Sequence, residues 1–91
     1  MAQDDESPYV LNQELADLQV ALLRKRSEVS NLTVGFTRAT EGASPIPADP
    51  LRRNLVAARQ ELVDLETHEA ELLLRLEQAE AVEAEANRAA H

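Results

Sequence analysis

Two heptad repeats of apolar residues, separated by a segment rich in Pro, Gly, Ser and Thr, place the strongest constraint on the fold of this chain. In both repeats the seam positions recur at alternating spacings of four and three residues, and apolar side chains fill most of them, which puts these side chains on one face of an α-helix. The pattern predicts two amphipathic helices, each with one apolar seam. The seam positions are Leu11, Leu15, Leu18, Leu22, Val29 and Leu32 in the first helix and Leu51, Leu55, Leu62, Leu65, Leu72 and Leu76 in the second.

Capping and turn residues predict where the helices begin and end. Ser7-Pro8 and Asp49-Pro50 each place a side-chain oxygen that can cap a helix before a proline suited to the first turn. Gly35 is expected to end the first helix, because glycine enters the left-handed conformation without steric penalty. The predicted segments are a disordered acidic tail at 1–7, helix 1 at 8–34, a linker at 35–49 and helix 2 at 50–88.

These elements predict an all-α fold, namely an antiparallel two-helix hairpin of the coiled-coil type. In this hairpin Leu22 should face Leu62. Lys25 occupies a seam position of helix 1, and we expect it to pair with Glu61 and to fix the register. Helix 2 is the longer helix, so residues 77–91 should extend beyond helix 1.

Further apolar residues lie beside the strict seams. In helix 1, Val10 and Leu23 are expected to widen the seam. Helix 2 has a second apolar flank, which indicates a second neighbouring helix. We therefore expect the hairpin to associate with copies of itself into a dimer or a higher helical bundle. The residues of this flank are Val56, Val63, Leu73 and Leu74.

The composition excludes most catalytic and cofactor chemistry. The chain has no Cys, so it has no disulfide, no cysteine zinc site and no thiol nucleophile. Asp64 and His68 share one helix face, a spacing that can hold a metal ion. The Glu-x-x-His pair of ferritin-like helical proteins is missing, however, because Leu65 stands three residues before His68. We expect no enzyme activity and no cofactor, and a small metal-binding protein of the ferritin-like type is the third-ranked alternative.

The charges are unevenly distributed along the chain. Residues 24–59 hold seven basic and three acidic side chains, whereas the rest of the chain holds two basic and fourteen acidic ones. In a hairpin, the basic part becomes the loop end and the acidic part becomes the open end. The acidic strip along helix 2 repels phosphates, so we expect no direct nucleic-acid binding.

No apolar run is long enough for a signal peptide or a membrane span, since the longest runs, 20–23 and 55–58, have four residues. We therefore expect a cytoplasmic protein. Export without a leader peptide is an alternative that the sequence leaves open.

The leading functional hypothesis is a non-catalytic assembly or adaptor protein. It would use the face at 51–76 and the extension at 77–91 to bind its own copies or a larger protein complex. The alternative is a regulator that inserts its basic loop end into an enzyme or a nucleoprotein complex. The candidate residues of that loop end are Arg38, Ile46, Arg52 and Arg53.

Overall fold

The computed structural model describes residues 7–90 and shows two long α-helices packed against each other. Helix α1 spans Pro8–Thr40 and helix α2 spans Ala48–Ala89. The hairpin measures 69 × 21 × 14 Å, and its length agrees with about 63 Å for a helix of the length of α2. The predicted all-α hairpin is confirmed. The predicted tail at 1–7 lies outside the described residues except for Ser7.

The start of α1 is capped as the sequence predicts. The Ser7 hydroxyl oxygen accepts a hydrogen bond from the backbone N–H of Val10 at 3.3 Å, and the Ser7 carbonyl accepts one from Leu11 at 3.0 Å. Pro8 occupies the first helical turn, where its missing N–H leaves no unsatisfied donor.

The end of α1 differs from the prediction, because the helix continues through Gly35 to Thr40. Phe36 and Ala39 continue the heptad spacing and are half-buried. Their packing outweighs the roughly 1 kcal/mol that glycine costs in a helix interior. The residue with left-handed backbone is Gly42, at φ 73°.

The backbone after Thr40 forms a Schellman motif. The N–H of Gly42 donates to the carbonyl of Ala39 at 3.2 Å, and the N–H of Ala43 donates to the carbonyl of Arg38 at 2.8 Å. These two bonds satisfy carbonyls that the helix end would otherwise leave without a partner.

The start of α2 also differs from the prediction. The helix begins at Ala48, one residue before Asp49, and Pro47 precedes it without a side-chain capping bond. Asp49 therefore lies in the first turn, where its negative charge is favourable near the positive end of the helix dipole. The connection between the helices is 41–47, shorter than the predicted linker 35–49.

The core is a single layer of side chains between the two helices. Leu11, Leu22 and Leu72 are fully buried, and each leucine contributes about 1.5–3 kcal/mol through burial. The other predicted seam positions are buried or half-buried. The cluster around the open half contains Leu11, Leu15, Leu18, Leu22 and Leu72, with Leu62, Leu65, Leu76 and Ala79 packed against it.

Candidate functional site

One charged residue within the seam connects the two helices. The Lys25 ammonium donates to Glu28 Oε1 at 2.7 Å on its own helix and to Glu61 Oε1 at 2.9 Å on α2. The hydrogen bonds to Glu28 and Glu61 raise the pKa of Lys25 above its ordinary value of 10.5, and the bond to Glu28 has the larger effect. The predicted contact between Lys25 and Glu61 is confirmed, and it ties one register position of α1 to α2.

The outward side of α2 exposes the flank that the sequence predicts to be buried. Val56, Val63 and Leu73 are exposed, and Leu74 has an exposed fraction of 56%. The hairpin alone therefore leaves this flank uncovered, because α1 occupies only the inner seam. The flank remains accessible to another molecule.

The C-terminal part of α2 extends beyond α1. Leu76 and Ala79 still pack against the core, whereas every residue from 80 to 90 is exposed. The extension therefore begins near residue 80, later than the predicted residue 77. The loop at 41–47 is centred later in the sequence than the predicted linker 35–49, so each residue of α1 lies opposite a later residue of α2 than predicted. An open groove of about 450 Å³ lies between the start of α1 and this extension. Its lining residues are Ser7, Pro8, Arg75, Gln78, Ala79, Val82, Glu83 and Ala86.

Helix α1 carries a second heptad series on its outward side, which the sequence interpretation missed. Leu23, predicted to widen the inner seam, has an exposed fraction of 66% and belongs to this series. All its positions are exposed and none is charged. The alternation of four and three residues from 9 to 37 is the signal that could have revealed it. We call this series the outer stripe of α1, and it consists of Tyr9, Gln13, Ala16, Val20, Leu23, Ser27, Ser30, Val34 and Thr37.

The predicted basic residues all lie at the loop end of the hairpin. Arg38 lies in the last turn of α1, and Arg52 and Arg53 lie near the start of α2. All three are exposed, and so is Ile46 in the loop between them. The Ile46 N–H donates to Ser44 Oγ at 3.1 Å, which orders this part of the loop.

The metal-binding alternative gains no support from the described residues. Among residues 7–90, no three or more His, Asp or Glu side chains are grouped so that they could hold a metal ion. His68 is exposed, and Asp64 accepts a hydrogen bond from Gln60 at 3.0 Å. In the described part of the chain, neither helix has the length and apolar character needed to cross a membrane.

Comparison with known protein families, with curated proteins and with solved structures gave no match. The function must therefore be argued from the exposed surfaces of the hairpin.

Proposed function

We propose that this protein is a non-catalytic coiled-coil assembly or adaptor protein. It binds copies of itself, or members of a larger protein complex, through the outward surfaces of the hairpin. The observation that carries the proposal is the exposure of large apolar side chains on the outward sides of both helices. Apolar side chains that recur along one face of an exposed helix are typical of surfaces that bind other helices.

The thin core supports the same proposal. Each helix buries one seam, and the rest of its circumference faces solvent. Small helical chains often complete their core by association with another chain. On α2 the exposed flank and the extension together offer a long surface for such contact. Its abundant carboxylates favour a protein partner over a nucleic acid. The cytoplasmic location stays a prediction.

A second candidate function rests on the loop end. Arg38, Arg52 and Arg53 lie at the same end of the hairpin as the exposed Ile46, and a basic end that also exposes an apolar residue suits docking on an acidic protein surface. If the protein is a regulator of this kind, Arg52→Glu and Arg53→Glu together should abolish partner capture while the helix content stays unchanged. Unchanged capture would exclude the loop end as the binding surface.

The leading proposal is tested by affinity capture from an extract of the native host, followed by mass spectrometry. The full chain is compared with Leu74→Glu and Val63→Glu, which place a charge on the exposed flank of α2. Asn12→Glu adds the same charge at an exposed position of α1 and is the matched control.

We expect the control to retain the captured proteins and the two α2 variants to lose them. If all variants capture the same proteins, the flank of α2 is not the binding surface. If the full chain captures no protein and is also monomeric when purified, the assembly function is wrong.

A further inference from the structure

We propose that the outer stripe of α1 is a homodimerisation surface, on which the α1 helix of a second copy packs antiparallel. The inference rests on the proposed assembly function and names the second copy of this chain as one of its partners. It assigns this role to α1 and leaves the exposed flank of α2 available for other proteins.

The outer stripe of α1 has the character of a helix-packing surface. Its nine positions are uncharged although 29% of the residues in the chain are charged. Tyr9, Val20, Leu23 and Val34 supply large apolar side chains, all of them exposed in the hairpin. The stripe keeps the heptad spacing over about 42 Å of helix, which is the spacing that a straight partner helix can follow.

The stripe is complementary to itself in an antiparallel pair. A two-fold axis between residues 21 and 22 places Val20 opposite Leu23 of the second copy. The same axis places Ala16 opposite Ser27, and Tyr9 opposite Val34. The largest apolar residues therefore meet each other at the centre and near both ends, and small or polar residues meet between them. An isologous interface of this kind closes as a dimer.

The charges beside the stripe are also complementary in this arrangement. In the same register Asp17 lies opposite Arg24 of the second copy, and symmetry makes this contact twice. Both side chains are exposed in the hairpin. Charges flanking a coiled-coil seam decide orientation and register, and this pair favours the antiparallel arrangement. In a parallel pair of α1 helices Asp17 would lie opposite Asn12 and Arg24 opposite Gln19, so no pair of opposite charges would form.

Neighbouring registers are unfavourable. A shift by one heptad in one direction brings Arg24 next to Arg24 of the second copy and Arg26 next to Arg26. A shift in the other direction brings Asp17 next to Asp17. The flank of α2 is a poorer surface for self-pairing, because an antiparallel arrangement that joins Arg59 with Glu80 also places Asp64 opposite Glu71. Charge complementarity therefore selects α1 and a single register.

The association is tested by sedimentation equilibrium of the purified full chain over the micromolar range. We expect the unmodified chain to be a dimer and Leu23→Glu to be a monomer with unchanged helical circular dichroism. Leu74→Glu makes the same change at an exposed leucine of α2 and should remain a dimer. A monomeric unmodified chain, or a dimer that persists in Leu23→Glu, would overturn the proposal.

The register is tested by charge exchange. Asp17→Arg places two arginines opposite each other twice, and we expect the dimer to dissociate about tenfold more readily. The exchange of both charges, Asp17→Arg with Arg24→Asp, should restore the affinity of the unmodified chain. If the double variant is as weak as the single one, the proposed register is wrong.

The orientation is tested by thiol cross-linking, which the cysteine-free chain makes simple. Ala16→Cys and Ser27→Cys are each prepared alone and are then mixed. In the antiparallel dimer a short thiol cross-linker should join the two variants in the mixture and should not join either variant to itself. Cross-linking of each variant to itself, with no gain in the mixture, would indicate a parallel dimer.

The two proposals fail in distinguishable ways. If the purified chain is monomeric while Leu74 variants lose proteins captured from the host, homodimerisation is wrong and the adaptor function stands. If Leu23→Glu disrupts a dimer while capture from the host finds no other protein, the homodimer stands and the role in a larger complex is wrong.

Discussion

The inner seam of the hairpin and the outer stripe of α1 follow the same heptad spacing, yet they differ in their side chains and in their burial. The seam of α1 uses leucine at most positions, and Leu11 and Leu22 are fully buried against α2. The outer stripe mixes a few large apolar residues with Ala, Ser and Gln. Spacing therefore specifies which faces a helix can use, whereas side-chain size determines which face forms the permanent core. A stripe with small and polar positions suits a weaker contact between molecules.

Two leucines of α2, one buried and one exposed, are expected to show the largest difference in the free energy of unfolding. Leu72 is fully buried, whereas Leu74, two residues later, is mostly exposed. We expect Leu72→Ala to lower the free energy of unfolding by about 2–5 kcal/mol, because it removes buried contacts and leaves a cavity. Leu74→Ala should change it by less than about 0.5 kcal/mol. Urea unfolding followed by circular dichroism measures both.

Equal losses for these two variants would mean that the outward side of α2 is buried in solution. A repeat at several protein concentrations then separates burial within one hairpin from burial between molecules, because only the latter depends on concentration.

The fold was largely predictable from the sequence because leucine spacing and turn residues act locally. The seams and the contact between Lys25 and Glu61 follow from the heptad spacing, and the Ser7 cap follows from the Ser-Pro pair. The end of α1 could not be predicted in this way. Gly35 and Gly42 are both plausible helix stops, and the choice depends on whether Phe36 can pack on a helix that is distant in sequence.

The surfaces were harder to predict than the fold. A heptad series shows that a helix face is apolar, but it does not show whether this chain or another molecule covers it. The prediction that Leu23 widens the inner seam is wrong for this reason, and its spacing to Val20 and Val34 places it on the outer stripe. Val56 and Val63 are a second example, because their spacing indicates an apolar face and the hairpin leaves both side chains exposed.

Alanine substitutions of the two glycines test how far the inner seam extends, and their expected effect on the free energy of unfolding is intermediate in size. A Cβ at Gly35 would meet Leu51 Cδ1 at 4.0 Å, an ordinary contact, and the backbone there is helical. Gly35→Ala should therefore raise the free energy of unfolding by about 0.5–1 kcal/mol. Gly42→Ala should lower it by about 1 kcal/mol, because the backbone at Gly42 is left-handed. Thermal and urea unfolding of the two variants should thus show opposite signs.

The opposite signs separate the two possible helix ends. If α1 ended at Gly35 with left-handed backbone, alanine would be destabilising there and nearly neutral at residue 42. A stabilising Gly35→Ala therefore shows that the inner seam crosses Gly35 and reaches Phe36.

The smallest effect concerns Lys25, a charged position of the inner seam, whereas the outer stripe has no charged position. The folded state raises the pKa of Lys25 above 10.5 through Glu28 and Glu61. The stabilisation that Lys25 supplies is therefore complete below its unfolded pKa and is lost as the pH rises through the higher folded value. Thermal unfolding should show this as a fall in Tm from neutral to strongly alkaline pH.

Glu28→Gln combined with Glu61→Gln removes both acceptor charges, so the alkaline fall in Tm should be shallower in that variant. Added salt should reduce the difference between the two chains, since the carboxylates are exposed. A variant whose Tm falls as steeply as that of the unmodified chain would show that the Lys25 contacts do not stabilise the seam.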